Sequence, residues 1–134
     1  MNALIVNILN TKRGQKVKDC YGPIVIPVLE KLQFLVDEFG FNMPSLDMAR
    51  HEFWIVFEKD NAQLNIEYEQ FNFLFGQLRV KNDDDWLVYS INDIAPMTDS
   101  QKQRKLPIQI EQVEERLDQI VCGLRNKLTE VLVS

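Results

Sequence analysis

Glu67 and Glu69 flank Tyr68 in the stretch LNIEYEQ, residues 64–70. In an extended chain alternate side chains share a face, so the two carboxylates would lie roughly 7 Å apart. That spacing could admit a water between a general acid and a general base, as in an inverting glycosidase. The same alternation of Leu64, Ile66 and Tyr68 with Asn65, Glu67 and Glu69 is also the pattern of any half-exposed antiparallel strand. No further catalytic group accompanies the pair, which favours a wet or partner-facing surface over a reaction centre.

The other reactive residues are scattered. His51 is the single histidine, and Cys20 and Cys122 are the two cysteines. A histidine-built metal site needs two or more histidines, or one with clustered cysteines, so neither a metal nor a cofactor is expected. Cys122 falls on the apolar side of a helical pattern, which predicts a buried structural thiol; a dyad of His51 with a cysteine stays open. The run NDDDW holds Asp83, Asp84 and Asp85 consecutively. A calcium loop needs alternating oxygen ligands, a turn glycine and a terminal Glu, so this run reads as a charged hairpin turn. Lys12, Arg13, Lys16 and Lys18 could touch phosphate, but no aromatics interleave them and a solvated loop is the simpler reading. The glycines at 14, 22, 40, 76 and 123 are isolated, which excludes a P-loop and a dinucleotide fingerprint.

The elements that would carry these residues follow from periodicity. Val28, Leu29, Leu32, Leu35, Val36 and Phe39 recur at helical spacing after Pro27, with Gly40 beyond, predicting a helix over about 25–39. TKRGQKVKDCYG before it reads as a mobile connection, and the first ten residues suit either a helix or a strand. NMPSLD reads as a loop. Residues 51–91 then hold four strand-like runs: HEFWIVFE, Leu64–Gln70, FLFGQLRVK and WLVYSI. Short turns at 59–62 and 82–85 require antiparallel neighbours, hence a four-stranded meander. Gly76 inside a strand signals a bulge or a close backbone approach. The polar stretch 92–107 is a connection. Ile110, Val113, Leu117, Ile120, Val121, Leu124, Leu128, Val131 and Leu132 predict a long amphipathic helix over about 110–132. Gly123 costs that helix roughly 1 kcal/mol against Ala and suits close packing on the sheet. The whole is one α+β domain, residues 1–134.

Net charge is −5, but it is unevenly spread. Residues 1–18 carry +4, residues 19–99 carry fifteen acids against five bases, and residues 100–134 carry +1. The acidic middle disfavours nucleic acid and suits a basic partner, with solubility as the competing explanation. No apolar run approaches the roughly 18 residues of a membrane span, so no membrane role is expected. The N-terminal run lacks a basic lead and a small-residue cleavage site; no signal peptide is expected, and the thiols suit a reducing cytosol. The aromatics are the remaining signal. Phe71, Phe73 and Phe75 share one strand face opposite Leu74, Leu78 and Val80, and Trp54 and Trp86 add large surfaces. Either the N-terminal segment covers the second sheet face, or an aromatic patch stays exposed.

The order LEKLQFLVDEFGF, FWIVFEKDNAQLNIEYEQ, GQLRV and VEERLDQIVCGLRNKL resembles small cytosolic immunity proteins of bacterial polymorphic-toxin and contact-dependent growth inhibition systems. The likeness covers about residues 28–132 in layout. It implies a protein without chemistry of its own, which binds one cognate toxin C-terminal domain 1:1, as a monomer or weak dimer. Many such toxins are nucleases with basic surfaces, and the immunity gene usually lies directly downstream of its toxin. Such families share no site residues, so the surface must come from charge and chemistry alone. Those point to Glu58, Asp60, Glu67, Glu69, Asp83, Asp84 and Asp85 as partner-facing charges, and to Trp54, Trp86, Phe71 and Phe73 as apolar anchors. An adaptor or chaperone-like module for a secreted effector is the alternative, and an enzyme of unknown reaction the third reading.

Overall fold

A computed structural model describes residues 3–69 and 73–132. In chain order it holds α1 (Ala3–Leu9), α2 (Lys12–Asp37), β1 (Ser45–Ala49), β2 (Glu52–Lys59), β3 (Ala62–Glu69), β4 (Phe73–Asn82), β5 (Asp85–Ser90), α3 (Ile91–Ile94), α4 (Asp99–Lys102) and α5 (Ile110–Leu132). The strands form one antiparallel sheet in the order β1-β2-β3-β4-β5. The class is α+β, with five strands where the sequence predicts four.

The additional strand is β1, which occupies the predicted loop. Pro44, Ser45 and Asp47 look like turn residues, and only Leu46 and Met48 alternate with them. Pairing supplies what propensity lacks: Leu46 lies opposite Ile55 and Met48 opposite Phe53. The other four strands fall within two residues of their expected bounds.

The predicted mobile connection is helix. Thr11 caps α2 by accepting the Gly14 N–H at 2.9 Å. Gly14 is obligatory there, because a Cβ would collide with the Ile8 carbonyl of α1. Gly14, Val17, Val25, Val28, Leu32 and Leu35 are all buried, so the apolar stripe begins a dozen residues earlier than the large side chains suggest. Pro23 removes one helical N–H, and the helix breaks direction at Tyr21 (φ −132°, ψ 19°). Gly40, at φ +74°, turns the chain after the helix.

Helices α2, α3 and α5 pack against the sheet. The core lies between them and the strand positions Phe53, Ile55, Phe57, Leu64, Ile66, Leu74 and Leu78, each at most 1% exposed. The helix over 110–132 forms as expected, with Val113, Leu117, Ile120, Leu124 and Leu128 buried. Gly123 meets α3 rather than the sheet: a Cβ there would stand 2.7 Å from the Ile94 carbonyl oxygen.

The alternate strand positions point away from the helices and are half-buried or exposed. Leu64, Ile66 and Tyr68 face inward while Asn65, Glu67 and Glu69 face out, as their alternation predicts. Gly76 (φ +148°) lets β4 approach β3 closely beside Asn65 and Ile66.

Candidate partner-binding surface

The outer face of the sheet is built by register. Across β1 to β4 one row reads Asp47, Trp54, Glu67, Phe75: acid, aromatic, acid, aromatic. Trp54, Glu67 and Phe75 are half-buried by one another and by their neighbours. Glu67 accepts a hydrogen bond from Asn65 Nδ2 at 2.9 Å, which fixes its carboxylate within the row. The adjoining row places Glu52 directly opposite Glu69. Like charges opposed across a strand pair are destabilising.

Charge divides the face in two. Among the described strand residues, its β1–β3 part carries Asp47, Glu52, Glu58, Glu67 and Glu69 and no base, with Arg13 of α2 reaching Asp47; its β4–β5 part carries Arg79 and Lys81 and no acid. Asp47 is bonded to its neighbour's backbone and to Arg13. The Met48 N–H first, and then Arg13, holds its carboxyl below the usual range.

Of the expected site residues, Trp54, Glu67 and Glu69 come together. Glu58, Asp60, Asp83, Asp84 and Asp85 are exposed at the other end of the sheet, because both two-residue turns lie there. Glu67 is five residues from that end, about 17 Å of strand. The turn acids are therefore a separate cluster rather than neighbours of Glu67 and Glu69. Trp86 is exposed, but it belongs to the basic part: the Arg79 guanidinium sits 5.3 Å from its ring and Lys81 is its register partner.

Phe73 is no surface anchor. Its backbone adopts φ +65°, which departs from strand geometry, and its ring is fully buried beneath Arg104 at 4.9 Å. Phe71 lies outside the described residues. Cys122, expected to be buried, is exposed, as is Cys20. Cys122 sits at the margin of α5, where it lines an open groove with Ile94, Pro96, Asp118 and Asn126. No hydrogen bond or ion pair joins His51 to either cysteine among the described residues. Among them, too, no group of three or more His, Cys, Asp or Glu could hold a metal ion. No described helix is long and apolar enough to cross a membrane.

Two residues of the acidic part escaped the sequence reading: Asp47 and Glu52. Glu52 shares the parity of Trp54 in β2 and could have been placed by it; Asp47 required knowledge of β1. Arg116 was also missed. It is fully buried on α5, donating to the Ala95 carbonyl at 2.6 Å and to Asn92 Oδ1 at 2.8 Å. Burial, and then the charge of Arg104, lower its pKa to about 10. This side chain holds the α3 segment, which polarity alone marks as a plain connection.

The chain matches no protein-family model, and neither a curated protein nor a solved structure matches it.

Proposed function

We propose that this chain is a non-enzymatic immunity protein that binds and neutralises the C-terminal domain of one cognate bacterial toxin, a nuclease with a basic surface. One observation carries the reading: the acidic half of the outer sheet face, whose described strand residues include no base and where only Asp47 is paired, to Arg13 of α2, with Trp54 at its centre. A half-buried Trp ringed by Asp47, Glu52, Glu67 and Glu69 has the make-up of a binding hot spot, in which an aromatic anchor fills a pocket and surrounding charges steer approach. Surface acids of this kind can raise association rates up to about 10⁸–10⁹ M⁻¹s⁻¹ at low salt.

The test is to express the C-terminal domain encoded directly upstream, with and without this chain, and to measure binding at low and high salt. Expected are rescue of growth by co-expression and a tight 1:1 complex whose formation slows as salt rises. Trp54→Ala should weaken that complex by 2 kcal/mol or more, about thirtyfold. Tight binding that ignores salt would keep immunity and move the interface to the aromatic residues. No binding at any salt would overturn the proposal.

A further inference from the structure

The two edges of the sheet are built differently. Lys81 N–H donates to the Asn61 carbonyl at 2.9 Å, so odd positions of β4 bond toward β3 and even positions toward β5. The even positions Leu78, Val80 and Asn82 pair with Tyr89, Leu87 and Asp85. The backbone N–H and C=O of Trp86 and Val88 must then point outward, away from the sheet. Among the described residues nothing takes them up.

The other edge is blunted. Asn42 N–H donates to the Glu58 carbonyl at 2.9 Å, so even positions of β2 bond toward β1, through Ser45, Asp47 and Ala49. Positions 44, 46 and 48 face outward. Pro44 has no N–H, and the Met48 N–H is held at 2.8 Å by the Asp47 carboxylate. Proline and charge are the usual means of blunting an edge strand. β5 holds no proline, and its charge is confined to Asp85 at its start. Trp86, Leu87 and Val88 are instead 41%, 42% and 53% exposed, apolar on both faces of a strand with free backbone groups.

We infer that β5 pairs antiparallel with β5 of a second copy, about a two-fold axis through Leu87, to give a continuous ten-stranded sheet. Residues that face each other across such an axis must share a sheet face, so the centre falls on one residue. Centred on Leu87, the register sets Trp86 opposite Val88 of the second copy and uses all the outward groups of both residues. It sets Leu87 against Leu87 of the second copy. It also sets Asp85 opposite the second copy's Tyr89, whose ring lies 4.2 Å from Lys127 Nζ. Apolar then meets apolar, and the acidic turn approaches an ammonium. Centred on Val88, the register would instead carry Asp83 toward the second copy's Asp93, like against like. The acidic parts of the two copies lie at the outer ends of the joined sheet and stay uncovered. The inference does not depend on the proposed function.

Sedimentation of the full chain across a concentration series is the test, with Val88→Pro as the variant. Proline removes an outward N–H that no β4 bond uses, so the monomer should keep its circular dichroism while dimerisation weakens at least tenfold. Cross-linking tests the register without relying on that variant. In a Cys20→Ser, Cys122→Ser background, Leu87→Cys should oxidise to a disulfide dimer, because non-bonded antiparallel partners have Cα atoms about 4.5 Å apart. Val88→Cys should not, its Cα atoms being more than about 7 Å apart. A chain monomeric at every concentration overturns the pairing and leaves β5 to a strand of another protein. A dimer unchanged by Val88→Pro, or one cross-linked through position 88 and not 87, overturns it as well.

Discussion

Gly76→Ala probes the register that sets Glu67 opposite Phe75. Gly76 has φ +148°, a conformation that costs a residue with a side chain roughly 1–3 kcal/mol. A Cβ there would stand 2.9 Å from the Asn65 carbonyl carbon, closer still to its oxygen, and 3.2 Å from the Ile66 Cα. All three are backbone atoms, so no rotamer change relieves the clash, and β3 and β4 must separate. Losing one or two ladder bonds adds about 1 kcal/mol each. The sum is about 2–5 kcal/mol, a large part of the roughly 5–15 kcal/mol that stabilises a typical domain. Urea unfolding followed by tryptophan fluorescence measures it, since Trp54 and Trp86 report on both halves of the sheet. A loss under about 1 kcal/mol with an unchanged denaturant slope would mean that the strands do not meet in this register, and the acid–aromatic row would go with it.

Arg116→Ala should cost about 3 kcal/mol by urea unfolding and speed amide exchange across residues 91–95, because it strips the Ala95 carbonyl and Asn92 of a charged donor; unaltered exchange there would show that α3 is held by other contacts. Glu52→Gln should stabilise the free protein by about 0.5 kcal/mol at low salt and by less at high salt, since it removes one of two opposed carboxylates; a loss of stability would refute the repulsion. Burial is the largest cause raising the Tyr21 and Tyr68 phenols above 10.0; the Cys20 and Glu52 charges add at Tyr21, and the Tyr21 charge adds at Tyr68. A raised folded pKa gives stability that is complete below the unfolded value and lost as pH rises through the folded one. Thermal midpoints should thus hold up to about pH 10 and fall above it, with tyrosinate absorbance rising later in buffer than in urea. Coincident titrations would contradict the burial of these rings.

What could be read from the sequence was what strict periodicity carries. Leu64, Ile66 and Tyr68 alternate without a break, and α5 keeps its three/four spacing for 23 residues. The first half of α2 was hidden because Gly14 and Gly22 are buried contact positions that look like breakers, followed by Pro23. Strand β1 was hidden because Pro44 and Asp47, which blunt its free edge, are also turn residues. Phe73 misled because a positive φ undoes the parity argument at one residue. The clustering of acids failed for a simpler reason. Hairpins reverse direction, so Asp60 and Asp83–Asp85 share one end of the sheet while Glu67 and Glu69 approach the other, and only the register gives that separation. The division of the outer face into acidic and basic parts likewise appears only when Arg79 and Lys81 are placed beside Trp86.

The most direct measurement is the association rate with the upstream-encoded toxin domain, taken against ionic strength, for the native chain and for the triple variant Glu52→Gln, Glu67→Gln, Glu69→Gln. The expected result is a native rate that falls steeply with salt and a variant rate at least tenfold lower at low salt, the two converging at high salt. Equal rates at low salt would contradict the assignment of the partner surface to the acidic half of the sheet.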